Sequence, residues 1–165
     1  MFGRTPDYKN ASLMSFSAAR SFLDKGTVGK ADFSQNMLNF YNYARTNDQI
    51  LTHTLINPSV SHKQAAAGIY NATVALHVVK ETDAGIIVSG ARLLATLGPF
   101  ADEIEVFPST VLKADPANIP FAFAFAIPIA TPRLKLIFIN TYDNGKSHFD
   151  GPLSSRFEEM DSVVI

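Results

Sequence analysis

The stretch Thr73-Val-Ala-Leu-His-Val-Val-Lys-Glu-Thr-Asp-Ala-Gly-Ile-Ile-Val88 decides the fold class of this chain. Val74, Leu76 and Val78 alternate with the residues between them, which is the period of a β-strand. Asp83-Ala-Gly85 is typical of a turn, and the apolar run after it predicts a returning strand, so the stretch is expected to form a hairpin. Further strands are predicted downstream, separated by proline and glycine, over Ile104–Phe107, Phe121–Ile129 and Leu134–Ile139.

Helical spacing precedes these strands. Apolar residues from Tyr8 to Leu23 predict a helix over about residues 6–24, with Thr5 as its cap and Pro6 at its first position. A second helix is predicted over about residues 32–48, antiparallel to the first. Helices followed by strands indicate an α+β fold with mainly antiparallel pairing. Two parts are expected: a helical segment over 1–57 and a β-rich domain over 58–165, whose last residues, Ser162–Ile165, are expected to be a strand with an unpaired edge.

Composition excludes several classes of function. The chain has 165 residues, 47% of them hydrophobic, which suits one globular domain or one and a half. A net charge of −1 gives no electrostatic footprint for nucleic acid. The absence of cysteine excludes a disulfide frame, a thiolate nucleophile and a cysteine-bound metal. The longest apolar stretch, Ile119–Ala130, is too short and too rich in proline to span a membrane, so a cytoplasmic protein without a membrane partner is expected.

Three side chains before residue 54 are candidates for binding a small molecule. Arg4 and Tyr8 lie four residues apart at the start of the first helix, where an anion is favoured. On the residues alone, a surface cation and a core tyrosine are the commoner roles. His53 lies in Leu51-Thr-His-Thr-Leu55, a short predicted strand with Thr52 and Thr54 on the opposite face. A lone histidine in an apolar stretch is more often a core group than a catalyst.

The sequence resembles a known family along nearly its whole length. The resemblance is to the oxygenase component of 4-hydroxyphenylacetate 3-monooxygenase, a family of phenol hydroxylases that use reduced flavin. No single motif decides the match; their order and spacing make it specific. The segments that carry it are Phe2–Asn10, Leu51–Pro58, Val79–Val88, Gly90–Thr96, Ala101–Glu103, Val106–Thr110 and His148–Asp161.

The resemblance implies a fold and a reaction. The fold would be a helical pair packed on an antiparallel β domain, like the middle part of the acyl-CoA dehydrogenase-like fold. The reaction would be ortho-hydroxylation of a phenol with FAD, as FADH2, and O2, and a separate flavin reductase would supply the reduced flavin. A homo-oligomer, or a second polypeptide that supplies a helical bundle, is the expected assembly.

The resemblance also assigns roles to residues, and no metal site is expected. The residues expected to position and polarise the phenol are Arg4, Tyr8 and His53. The residues expected to line the substrate are Ser109 and Thr110. Flavin binding falls to His53, Thr54, Leu55, Ile56, Ser59, His62 and Thr96. The carboxylates of Glu158–Asp161 have no histidine at ligand spacing and are expected to form a solvated face, and Asn144–Ser147 is expected to be a hairpin turn.

Two alternatives stay open. In the resembled family this stretch is about a third of the polypeptide, so the chain is expected to be a fragment or a truncated or split member. Such a chain could be a non-catalytic folding or interaction module. The related 4-hydroxybutyryl-CoA dehydratase branch uses an iron–sulfur cluster, and the lack of cysteine disfavours it.

Overall fold

A computed structural model of the chain describes residues 6–26, 32–58, 73–138, 147, 149–150, 152 and 162–165. Several sequence predictions lie wholly or mostly outside these ranges, namely Arg4, Ser59, His62, the turn over Asn144–Ser147 and the carboxylates of Glu158–Asp161. Within the described ranges, no helix is long and apolar enough to cross a membrane.

Two α-helices form the N-terminal part. Helix α1 spans Pro6–Ala18 and is followed by a 3₁₀ helix over Arg20–Gly26, where a single helix was predicted. The chain tightens because the amide of Phe22 donates to the carbonyl of Ala19, three residues back, at 3.0 Å. Helix α2 spans Phe33–Thr46 and begins where predicted, since the Asp32 carboxylate accepts a bond from the amide of Gln35 at 2.8 Å.

Seven short strands follow in the part of the chain that the structure describes. They are β1 Leu51–Thr54, β2 His77–Thr82, β3 Gly85–Ser89, β4 Glu103–Val106, β5 Phe125–Pro128, β6 Leu136–Phe138 and β7 Ser162–Val164. Strands β1, β4 and β5 form one sheet in that order, and β2–β3 and β6–β7 form two separate pairs. Three of the four pairings are antiparallel, as predicted, and β1 pairs with β4 in parallel. A parallel pair needs a long crossover, and the intervening chain, which contains the β2–β3 hairpin, provides it.

The structure corrects two expectations for the β part. The predicted strand over Phe121–Ile129 is replaced at its start by a 3₁₀ helix over Pro116–Phe121, because Asp115 caps this turn and the two prolines have no N–H to donate to a sheet. His77 is half-buried, with its ring 6.0 Å from the buried ring of Phe121.

The last residues do not form an unpaired edge. Strand β7 pairs with β6, and Val164 exchanges two backbone hydrogen bonds of 2.9 Å with Arg92 on its other side. The side chain of Val164 is buried with Ala95 and Ile104, which holds the strand in place.

The β1–β4–β5 sheet separates two hydrophobic clusters. Leu51 packs with Leu13 of α1 and Ala44 of α2 on the helical side. Ile104 packs with Ala95 and Val164 on the opposite side. Successive residues of a strand point to opposite faces, so alternate positions of β1 and β4 face the helices. The predicted α+β class, a helical pair packed on a mainly antiparallel β part, is confirmed.

Candidate functional site

The pairing of β1 with β4 places His53 beside Glu105. The two residues are directly opposite in the parallel register, on the face that also carries Leu51 and therefore faces the helices. Thr52 and Thr54 point the other way. Their hydroxyls donate to the carbonyls of Thr96 at 2.5 Å and Leu93 at 2.6 Å, which anchors β1 to the segment behind it. The orientation of His53 is therefore set by both faces of its strand.

Helix α1 brings Tyr8 to His53. The two ring centroids are 6.5 Å apart, and the rings are tilted by 51°. Tyr8 is 43% exposed and His53 is half-buried, so one side of the pair is open. An aromatic ring of a small molecule entering from that side would meet a phenol hydroxyl and an imidazole together.

A buried ion pair lies next to these two side chains. The Lys9 ammonium is 2.5 Å from a carboxylate oxygen of Glu105, and both side chains are less than a tenth exposed. Lys9 also lies over the ring of Phe107, 4.8 Å from its centroid, and Phe16 packs 5.9 Å from the same ring. Buried charges of this kind persist only when they are paired, so α1 is held to β4 at this point.

The electrostatics favour a neutral histidine. Burial, and secondly the nearby Lys9 ammonium, lower the pKa of His53 below its ordinary value of 6.5. Burial raises the pKa of the Glu105 carboxyl, and Lys9 offsets part of that effect. A neutral imidazole keeps one ring nitrogen with a lone pair, which can accept a hydrogen bond or a proton from a phenol.

The segment after His53 is held by the stretch from Gly90 to Thr96. Leu55 accepts a bond from the Arg92 guanidinium at 3.4 Å, and Ile56 pairs with Leu93 through the backbone. The hydroxyl of Thr54 is committed to Leu93, so the predicted flavin contact of Thr54 would have to come from its backbone. Leu55, Ile56 and Thr96 stay predicted flavin contacts on a rigid framework.

The two predicted substrate-lining residues lie further along the chain. Ser109 is buried and Thr110 is exposed in a turn. Within the described ranges, no hydrogen bond, ion pair or ring contact joins either residue to Tyr8 or His53. Ser109 is two residues beyond Phe107, which covers Lys9, and this is its nearest link to the site.

A buried amide at the end of this segment fits a polar ligand. The side-chain oxygen and nitrogen of Asn57 are both buried, and neither has a hydrogen-bond partner among the described residues. Asn57 directly follows the segment predicted to line the flavin. A donor and an acceptor side by side suit the polar edge of a flavin ring, which carries both types of group, so the residues present fit this cofactor.

Sequence reasoning missed Lys9, Glu105 and Phe107. The alternation of Glu103-Ile-Glu-Val106 indicated a strand with two carboxylates on one face. That pattern ordinarily predicts a solvated face, since glutamate is rarely buried. In this structure both glutamates are buried, and only the position of α1 over β4 reveals the burial of Glu105.

Comparison with known proteins agrees with the sequence resemblance. The sequence model of a family described as 4-hydroxyphenylacetate 3-hydroxylase, N terminal, matches residues 1–165. The chain belongs to this family. A member from a Geobacillus species, the oxygenase component of 4-hydroxyphenylacetate 3-monooxygenase, is 48% identical over 164 residues. The match covers 99% of this chain and 33% of that protein, so the chain spans about a third of the length of such relatives.

Solved structures support the same fold. A 4-hydroxyphenylacetate 3-monooxygenase oxygenase component, crystallised with FAD and 4-hydroxyphenylacetate, matches with a TM-score of 0.79 at 41% identity. That match covers 99% of this chain and 32% of the other. An archaeal 4-hydroxybutyryl-CoA dehydratase from N. maritimus matches all of this chain and 32% of that one, with a TM-score of 0.73 at 16% identity, and shows the shared fold alone. The acyl-CoA dehydrogenase-like architecture expected for this hydroxylase-family chain is confirmed.

Proposed function

We propose that this chain forms the phenol-binding side of a flavin-dependent oxygenase that hydroxylates a phenol at the ortho position. The observation that carries the proposal is the partly open pair of Tyr8 and His53, with the imidazole held neutral by burial and by Lys9. A relative of the same family is bound to FAD and 4-hydroxyphenylacetate, so a substrate of that class is the first to test.

Each side chain has a distinct role in the proposal. His53 accepts the hydrogen bond of the phenol hydroxyl and takes up its proton as the oxygen gains negative charge. Tyr8, across the gap, donates to the same oxygen and sets the direction of the ring. Arg4, which lies outside the described residues, is assigned by family resemblance to favour the phenolate, the form with the more electron-rich ortho carbon.

The flavin is assigned to the segment that ends β1. The described residues that would hold the flavin are His53 to Ile56, Asn57 and Thr96. Two more, Ser59 and His62, lie outside the described residues. When bound, reduced FAD with O2 supplies the oxygen atom for the ring. The contribution of the protein is to orient the phenol at this edge and to exclude water from it. Ser109 and Thr110 would line the far side of the phenol.

The complete system needs further components. A separate flavin reductase would supply FADH2, and a homo-oligomer or a helical-bundle polypeptide would complete the cofactor site. Both belong to the proposal, as does a cytoplasmic location.

A chimera tests the proposal directly. Residues 1–165 replace the matching segment of the Geobacillus oxygenase, to which they are 48% identical. The purified chimera is supplied with a flavin reductase, FAD and 4-hydroxyphenylacetate, and the ortho-diphenol product is measured. His53→Ala is expected to lower turnover by about 10²–10⁴-fold, the usual contribution of a general acid–base group. Turnover of His53→Ala equal to that of the parent chimera would refute the role of His53.

His77→Gln is the matched control. His77 is also half-buried and also packs on an aromatic ring, but it lies on the β2–β3 hairpin. Its turnover is expected to equal that of the parent chimera. The isolated 165-residue chain is expected to bind FAD weakly and to form no product, because it spans only a third of its relatives. Tight stoichiometric binding in an equilibrium titration would show that the chain holds the flavin without further segments.

A further inference from the structure

The ion pair of Lys9 and Glu105 lies where it can control the charge of His53. Glu105 is directly opposite His53 in the register of β1 and β4, so their Cβ atoms share one face of the sheet at the spacing of neighbouring strands, about 5 Å. Lys9 follows Tyr8 in helix α1 and reaches the same carboxylate. The histidine therefore has a buried anion as its strand neighbour and a buried cation beyond it.

A carboxylate beside a histidine ordinarily favours the imidazolium. An imidazolium has no lone pair and cannot accept the proton of a phenol. With Lys9 in place, the Glu105 charge is compensated by a cation 2.5 Å away. The ring of Phe107 covers the ammonium and restricts its access to water, which strengthens the pairing.

We propose that Lys9 and Glu105 are positioning residues for His53: Lys9 occupies the Glu105 carboxylate, so the imidazole stays neutral and its ring nitrogen stays available to a bound phenol. This role rests on the proposed function of the site. Neither residue touches the substrate in the proposal; both act through His53.

In the described part of the chain, the ionisable groups that face His53 come from α1 and β4. Helix α1 contributes Tyr8 and Lys9, and β4 contributes Glu105. Strand β5 contributes the uncharged Ala126 at the position opposite Glu105. Glu103, two residues before Glu105 on the same face, interacts with Tyr43 of α2.

The titration of His53 in the isolated chain tests the proposal without flavin, substrate or turnover. The chain has four histidines, and the signals of His53 in the NMR spectrum are assigned by their loss in His53→Gln. Lys9→Met leaves Glu105 with His53 as its nearest cation, so the pKa of His53 is expected to rise by about 1 pH unit or more. Glu105→Gln leaves Lys9 uncompensated, so the pKa of His53 is expected to fall. Lys9→Arg keeps the charge and is expected to keep the parent value.

Opposite directions distinguish this role from a structural one. A pair that only holds α1 to β4 would let water in when either partner is removed, and the pKa of His53 would then rise towards 6.5 in both variants. A rise in both, or no change in either, overturns the proposal. If neither single variant folds, His53 of the parent chain is titrated by itself, and a pKa of His53 at or above 6.5 overturns the proposal. If the chimera forms no product but the pKa of His53 shifts in opposite directions in the two variants, the proposed function is rejected. The control of the His53 charge by Lys9 and Glu105 then still stands.

Discussion

Replacement of Gly90 by alanine is expected to destabilise the fold more than replacement of Gly85. Both glycines have positive φ, +119° at Gly90 and +138° at Gly85, where an L side chain costs about 1–3 kcal/mol. A Cβ at Gly85 meets nothing within 4 Å, whereas one at Gly90 lies 2.5 Å from the carbonyl oxygen of Ala75. Ordinary contact begins at 3.4 Å, so the Ala75 backbone must move by about 0.9 Å.

The movement has a cost that the structure allows us to estimate. Ala75 is fully buried, and two backbone hydrogen bonds to Ala91 hold the chain on either side of it. The amide of Ala91 donates to the carbonyl of Val74 at 2.7 Å, and the amide of Leu76 donates to the carbonyl of Ala91 at 3.1 Å. Loss of these two bonds costs about 1–3 kcal/mol, at about 0.5–1.5 kcal/mol each. Gly85→Ala is therefore expected to cost about 1–3 kcal/mol, and Gly90→Ala about 2–6 kcal/mol.

Urea unfolding followed by circular dichroism measures both variants against the parent chain. Gly85→Ala is the matched control, because it changes the same residue type at a similar φ without the close backbone. Equal loss of stability in the two variants would refute the reasoning, since it would mean that the backbone around Ala75 yields without cost.

Three further predictions concern charge, capping and surface. Folding lowers the pKa of His53, so the neutral imidazole contributes stability above pH 6.5 that is lost as the pH falls through the lowered value. His53→Gln lacks this contribution, so its free energy of unfolding, measured in urea titrations, should fall less between pH 7.5 and 5.5 than that of the parent chain. Parallel losses in the two proteins would contradict this. Asp32→Ala should cost about 1 kcal/mol in the same assay, and no change would mean that its 2.8 Å bond to Gln35 adds nothing. Exposed apolar side chains on β6, Ile137 and Phe138, favour self-association, and light scattering after gel filtration that gives only an 18.0 kDa species would contradict it.

Local patterns in the sequence predicted much of this fold correctly. The turn at Asp83-Ala-Gly85 and the apolar run after it predicted the hairpin, because turn chemistry acts over a few residues. The alternation from Val74 placed the start of the first strand too early, since β2 begins at His77. The start of α2 at Asp32 followed from capping, which is equally local. The predicted strand from Phe121 was wrong at its start, where an aspartate cap and two prolines favour a 3₁₀ turn over the alternating phenylalanines.

The sequence by itself determined the α+β class and the family, since these depend on residue type, order and spacing. The roles of Tyr8 and His53 at a binding site stay predictions. Only the tertiary structure decided that β1 runs parallel to β4, that Glu105 is the strand neighbour of His53, and that Lys9 compensates its charge. The physical reason is that a register between strands some 50 residues apart depends on the packing of both faces of the sheet. No local pattern carries that information, and the charge of a buried histidine depends on the neighbours that this packing supplies.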